Sequence, residues 1–339
     1  MNWQAAPASP VAAREPLLLV RNLRVGFTRE DGDRPGLAVD GLDLALEYGK
    51  TLCLVGESGC GKSVTALSLL GLLPSPPAQR LDGSVCFDGQ ELTTLPEREL
   101  RRIRGNRVGM IFQDPMTSLN PVMRVGDQMG EALRLHRGLS KSRAREAARD
   151  MLRRVGIADP DQRVMDYPHQ MSGGMRQRVM IGMALMCDPD LLIADEPTSA
   201  LDVTVQRQIL GLMRDLIRDA GSALLLITHD FDVVGRIADE VAVMYAGRIV
   251  EQGSAESLLT EASHPYTVGL LQSRPARTGQ RHRLFAIPGS VPGIWSRPTG
   301  CAFHPRCSSV LERCRVEDPP FFQTGHGLCR CWLSEPKSR

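Results

Sequence analysis

The 339-residue chain contains no run approaching the roughly 20 apolar residues that cross a bilayer. Any work at a membrane is therefore expected to go through partners. It also lacks an excess of charge of either sign: 41 Lys and Arg against 39 Asp and Glu leave a formal net charge of +2. Bulk charge gives no ground for a nucleic-acid partner. The one basic cluster, Arg98, Arg101, Arg102, Arg104 and Arg107, reads as a solvated helix face. The start, residues 1–16, is rich in Ala and Pro and has no cationic stretch followed by an apolar one. It is not a secretory signal and is expected to be disordered, with the protein in the cytoplasm.

What is present is a hydrophobic content of 42%, enough for a buried core, and length for a large domain plus a smaller one. Strands are expected at Leu17 to Val25, Ala38 to Leu46, Leu52 to Val55, Val108 to Phe112, Leu191 to Ala194, Ala223 to Ile227 and Val241 to Tyr245. Helices are expected at Val64 to Leu72, Ser140 to Val155, Arg176 to Met186, Val203 to Arg218 and Phe231 to Ala238. The alternation argues for an α/β fold with a largely parallel sheet, interrupted by a helical insertion at about residues 116–172. Beyond Gly253 a series of prolines breaks up the sequence, which reads as a small appended unit short on regular structure and in need of a staple.

Gly56-Glu57-Ser58-Gly59-Cys60-Gly61-Lys62-Ser63 fits G-x-x-x-x-G-K-[ST] and stands between an apolar strand and a helix. Glycines at such positions let backbone N–H groups curl around phosphates, and the following helix, opening through Val64, aims its positive end at the same place. Lys62 is the candidate partner for β- and γ-phosphates, and the Ser63 hydroxyl for Mg²⁺. Cys60 inside the loop reads as a small filler, although an exposed thiol there would be open to alkylation. Asp195 closes a buried strand and would hold Mg²⁺ through water. Glu196 is the candidate general base for the attacking water; a further metal-shell acid is the alternative. Gln113, at a strand end, offers a donor and an acceptor with which to sense Mg²⁺ and water. Ser172, Gly173 and Gly174 open a helix, so the first two offer free N–H groups and a hydroxyl as an anion receptor. The insertion keeps them from their own phosphate loop, so the phosphate must come from a partner chain. Phe27 has two open readings: a stack on adenine, or a buried strand aromatic.

The order phosphate loop, Ser172-Gly173-Gly174-Met175-Arg176-Gln177-Arg178, then Asp195-Glu196 resembles the ATP-binding subunits of ABC transporters over residues 17 to about 255. The stretch Gln113 to Pro121, with His264-Pro265-Tyr266-Thr267, Ile287-Pro288-Gly289 and Gly300-Cys301-Ala302-Phe303-His304-Pro305-Arg306-Cys307, is similar to the oligopeptide/dipeptide (peptide/nickel) importer branch. The resemblance implies a P-loop NTPase (RecA-like) core at residues 17–260, with an antiparallel β subdomain and the helical insertion. It further implies a C-terminal extension at 261–339. His229 matches the switch histidine that would contact the γ-phosphate. Ser199-Ala200-Leu201-Asp202 resembles the D-loop where two subunits meet. Met171 stands where the family signature often has Leu, and Phe27 where the adenine position often has Tyr. The implied partners are a second, different ABC ATPase chain, two transmembrane permeases gripped around Gln113 to Met129, and indirectly an extracytoplasmic solute-binding protein. The implied place is the cytoplasmic face of the inner membrane, peripherally bound. Peptides are the implied cargo, with nickel chelates and glutathione-like solutes open. A soluble ABC protein of repair or translation is the first rival, disfavoured by a single cassette and a short insertion. An iron–sulfur redox protein is the second.

Five of the nine cysteines crowd the tail: Cys301, Cys307, Cys314, Cys329 and Cys331. A disulfide framework does not suit a reducing compartment, and the usual C-x₂₋₄-C pair of structural zinc sites is missing from their spacings up to Cys314. Four thiolates also suit a [4Fe–4S] cluster. The family resemblance implies such a cluster on Cys301, Cys307, Cys314 and Cys331, the last followed by Trp332 in the family manner, with Cys329 as the alternative. Zn²⁺ and no metal remain open.

Overall fold

The computed structural model describes residues 15–29, 35–113, 118–198, 202–274 and 286–336. The expected disordered start, apart from residues 15 and 16, lies outside them, as do Asp114 to Thr117 and Ser199 to Leu201. The strands in chain order are β1 Leu18–Phe27, β2 Gly36–Leu46, β3 Thr51–Val55, β4 Ala78–Phe87, β5 Gln90–Glu91, β6 Val108–Ile111, β7 Leu191–Asp195, β8 Ala223–Thr228, β9 Glu240–Tyr245, β10 Arg248–Ser254, β11 Phe322–Thr324 and β12 Gly327–Cys329. They form two sheets. One is antiparallel, in the order β2-β1-β4-β5; the other runs β11-β12-β10-β9-β3-β8-β7-β6.

The segment β9-β3-β8-β7-β6 is parallel throughout. Its strands read as continuous apolar runs because both faces are covered. Cys53 and Val55 of β3, Leu192 and Ala194 of β7, and Leu224 and Leu226 of β8 join one core cluster. Leu52 and Leu54, Leu191 and Ile193, and Ala223, Leu225 and Ile227 point into the other. Helices Gly173–Leu185, Val203–Ala220 and Phe231–Ile237 contribute to the first cluster. The antiparallel sheet and helix Lys62–Leu69 cover the second face. The insertion is helical as expected, with Val125–Met129, Glu131–Arg137 and Lys141–Arg154.

Two expectations need correction. The helix placed at Arg176 begins at Gly173. The hydroxyl of Ser172 accepts from the Met175 N–H at 3.3 Å, and this N-cap, worth about 1 kcal/mol, offsets the poor helix propensity of two glycines. The tail is also less irregular than its prolines suggest: β12 pairs antiparallel with β10 through Glu251 and Cys329, which extends the main sheet. Phe303 and Tyr266 are buried in the main core. Among the described residues no helix is long and apolar enough to cross a membrane.

Candidate nucleotide site

In a parallel sheet every strand delivers its carboxyl end to the same edge, where open α/β sheets place their ligands. Register puts Val55 beside Thr228, Ile227 beside Asp195, and Ala194 beside Ile111. The phosphate loop, Asp195-Glu196, His229 and Gln113 therefore emerge along one edge.

The loop between β3 and helix Lys62–Leu69 is built on glycine where nothing else fits. A Cβ on Gly61, whose φ is +112°, would collide with the Ala38 carbonyl, and one on Gly56 with the Met244 carbonyl. Gly59, with φ +81°, has open space around it, and Ser58 is exposed beside it. Cys60 is buried, and burial pushes its thiol up from the ordinary value. The filler role fits and reactivity does not. Val64 lies half-buried on the core beneath the helix. Lys62 is buried and turned inward, donating to the Gly56 carbonyl at 2.8 Å and the Glu57 carbonyl at 3.0 Å.

Lys62 Nζ also lies 3.9 Å from Glu196 Oε1, and Glu196 Oε2 lies 3.3 Å from His229 Nδ1. Glu196 has a positive φ of 44°, and its N–H donates to the Ile227 carbonyl at 3.0 Å. The change of backbone direction after Asp195 explains why adjacent acids serve different neighbours. Asp195 is buried and hydrogen-bonded to Ser63. Burial, with Glu196 beside it, pushes its carboxyl above the usual range, against the pull of Ser63 and Lys62. Its Oδ1 is buried with no hydrogen-bond partner among the described residues. An unpaired carboxylate oxygen next to a hydroxyl at the phosphate edge fits an Mg²⁺ seat.

Gln113 follows β6 and is exposed, as is Phe112. Phe27 ends β1 half-buried on the second core cluster, opposite Gly36 and Ala78. Ser172 and Gly173 are exposed, with nothing within 4 Å of a Cβ built on Gly173; Gly174 is half-buried. Their helix packs on the insertion helices Val125–Met129 and Lys141–Arg154. Further along it, the Gln177 amide donates to the Pro197 carbonyl just past Glu196, so the two segments are tied. Asp202 is exposed and caps helix Val203–Ala220, accepting from the N–H groups of Thr204 and Val205 at 3.0 Å each. The rest of the expected D-loop lies outside the described residues.

In the tail, Cys301, Cys307, Cys314 and Cys331 line one cavity with His264, Phe303 and Trp332. Cys329 does not line it; it lies in β12 near Glu251, and burial pushes its thiol up to about 12. Burial and the other three thiols push Cys331 up to about 11. All nine cysteines are free. Among the described residues no group of three or more His, Cys, Asp or Glu is arranged to hold a metal ion, which supports neither a zinc site nor an iron–sulfur cluster.

The ABC transporter family profile matches residues 39–199, and the profile of the oligopeptide/dipeptide transporter C-terminal region matches residues 250–314. The chain is 48% identical to the oligopeptide transport ATP-binding protein AppD of Bacillus subtilis, over 94% of this chain and 97% of that one. The chain belongs to the ABC transporter ATP-binding proteins. It is also 49% identical to the oligopeptide transport ATP-binding protein OppD of Haemophilus influenzae, over 95% and 98% of the two chains. Its identity to the dipeptide transport ATP-binding protein DppD of Bacillus subtilis is 47%, over 96% of each. A solved dimeric ATP-binding cassette in a post-hydrolysis state with ADP and Pi superposes with a TM-score of 0.63 at 25% identity, over 70% of this chain and 98% of that one. The chain is thus an ABC-type ATPase with the cassette fold.

The sequence did not point to one part of this site. Arg306 and Tyr266, from the tail, touch the phosphate loop at Glu57. Their separation from Glu57, 249 and 209 residues, leaves no local signal; only the burial of an arginine hints at a partner.

Proposed function

We propose that this ABC ATPase drives uptake of di- or oligopeptides through partner permeases, from the cytoplasmic face of the inner membrane. The relatives carry oligopeptide and dipeptide transport in their names, and the tail matches the transporter C-terminal region. The observation that carries the chemistry is the meeting of Lys62, Asp195, Glu196 and His229 at one sheet edge.

ATP phosphates would lie on the loop Gly56 to Ser63, with Lys62 leaving its carbonyl partners to meet them. Ser63 and Asp195 would hold Mg²⁺, with Gln113 as the third group beside it, and the ion would supply positive charge against the phosphates. Glu196, oriented by His229, takes a proton from the attacking water. Phe27 meets the adenine. Ser172 and Gly173, facing solvent, with Gly174 behind them, cap the ATP of a second ABC ATPase chain, with Asp202 at the junction. Two permeases dock around the insertion that follows Gln113, and a solute-binding protein supplies cargo from outside. The domain division follows: ATPase from 17 to about 260, extension beyond. In the extension Cys301, Cys307, Cys314 and Cys331 would hold a [4Fe–4S] cluster as a staple; support comes from the four thiols sharing one cavity, which His264 and His304 also line.

The test is labelled-peptide uptake by membranes carrying this chain with its permeases. Lys62→Ala is expected to abolish ATP binding and uptake together. Uptake that persists without ATP binding would remove the proposal.

A further inference from the structure

The tail returns to the phosphate loop and holds Glu57 at both ends. The Glu57 backbone N–H donates to the Tyr266 hydroxyl at 2.8 Å. Its carboxylate accepts two bonds from Arg306, Oε2 from Nη1 at 2.6 Å and Oε1 from Nη2 at 2.9 Å. Such a forked pair fixes direction as well as distance.

Arg306 is built in. Its side chain is only 5% exposed, and its Nε donates to the Pro288 carbonyl at 2.7 Å. Its guanidinium lies over the rings of Tyr245 and Phe303. Those rings and Tyr266 form one cluster, with centroids 4.7, 5.2 and 5.3 Å apart. Tyr245 ends β9, the neighbour of β3. The clamp is thus anchored in the strand beside the one that launches the loop. Its other end is the lysine: the carbonyl of Glu57 itself accepts from Lys62 Nζ at 3.0 Å. Arg306, Glu57 and Lys62 form a chain of contacts from tail to phosphate seat.

We infer that Arg306 and Tyr266 are positioning residues for ATP, acting through Glu57 to hold the phosphate loop in its receptive shape. The tail is then a working part of the nucleotide site and not only an appended staple. This rests on the ATP reading of Gly56 to Ser63 given above. A forked charge pair with one member buried is costly to leave half-made, and release of Glu57 would also bring an unpaired carboxylate near incoming phosphates.

The experiment measures Mg-ATP affinity of the full chain with a fluorescent ATP analogue, and KM and kcat in the assembled transporter. Glu57→Gln and Arg306→Met are each expected to weaken ATP binding and raise KM about tenfold, with kcat within about twofold. Arg306→Lys should recover part of the loss, since it restores charge without the fork. The double variant should be no weaker than the worse single one. Glu57→Gln is decisive if Arg306→Met fails to fold, because it leaves the tail packing and the Arg306 bond to Pro288 in place. Wild-type ATP affinity in Glu57→Gln, or losses that add fully in the double variant, overturns the clamp. Lys62→Ala, run alongside, separates the two levels. If it abolishes binding while Glu57→Gln binds normally, only the clamp fails; if it binds normally, the phosphate-loop reading itself fails.

Discussion

Glu196→Gln isolates the chemical step. The substitution keeps size and shape, and the 3.0 Å backbone bond to Ile227 does not involve the side chain. What disappears is the negative charge and the ability to take a proton. The carboxylate is only 14% exposed and has His229 Nδ1 at 3.3 Å on one oxygen and Lys62 Nζ at 3.9 Å on the other. Few waters can replace it as base. A positioned general base contributes about 10²–10⁴-fold, so turnover is expected to fall by that factor, equivalent to ~3–5 kcal/mol of barrier. ATP affinity should hold or rise, because Lys62 no longer has a carboxylate competing with phosphate. The assay is phosphate release in the assembled transporter, with nucleotide affinity measured on the same sample. Turnover within about threefold of the parent would refute the base assignment. A loss of affinity as large as the loss of rate would show that the charge positions nucleotide instead of activating water.

Three further outcomes are expected. Ser172→Arg should leave ATP binding to this chain intact and stop hydrolysis at the site completed by its signature helix; unchanged hydrolysis there argues against shared sites. Cys331→Ser should lower bound iron and sulfide and absorbance near 400 nm, whereas Cys329→Ser should not, because only Cys331 lines the cavity with the other three thiols; a parent protein purified anaerobically without iron would end the cluster proposal. His264 is buried, and burial depresses its pKa from 6.5 to about 3. Above pH ~6.5 it is neutral folded or unfolded, but below that the unfolded chain takes up a proton that the fold refuses. Stability should therefore fall by ~2 kcal/mol between pH 7 and 5 from this group. His264→Asn should flatten that part of a urea-midpoint profile, and an unchanged slope would contradict the assignment.

The phosphate loop and the Asp195-Glu196 strand end were legible because parallel strands are uniformly apolar and end in short, chemically distinctive turns, whereas a lone His229 carried meaning only through the family resemblance. Ser172 and Gly173 read in the sequence as opening the signature helix, although its regular span is expected from Arg176; the Ser172 hydroxyl bond caps a helix that starts at Gly173 despite its two glycines. The strand β4 was not read at all: Gln79, Arg80, Leu81 and Asp82 are exposed in succession, which erases the alternation a half-buried strand would show. β11 and β12 are three residues each and carry no periodicity; what makes them strands is the edge of β10, on which β12 pairs, and β12 in turn, on which β11 pairs. The Glu57–Arg306 pair was beyond reach for the same reason, since partners so far apart are set by the packing of the tail and by nothing near either residue.

The most direct test of the whole account is ATP turnover by this chain measured against its concentration, alone and then with its permeases and partner ATPase. Turnover should vanish as the chain becomes monomeric and return on assembly, with hydrolysis tied to peptide uptake. Full-rate hydrolysis per chain at every dilution, indifferent to membrane partners, would contradict it.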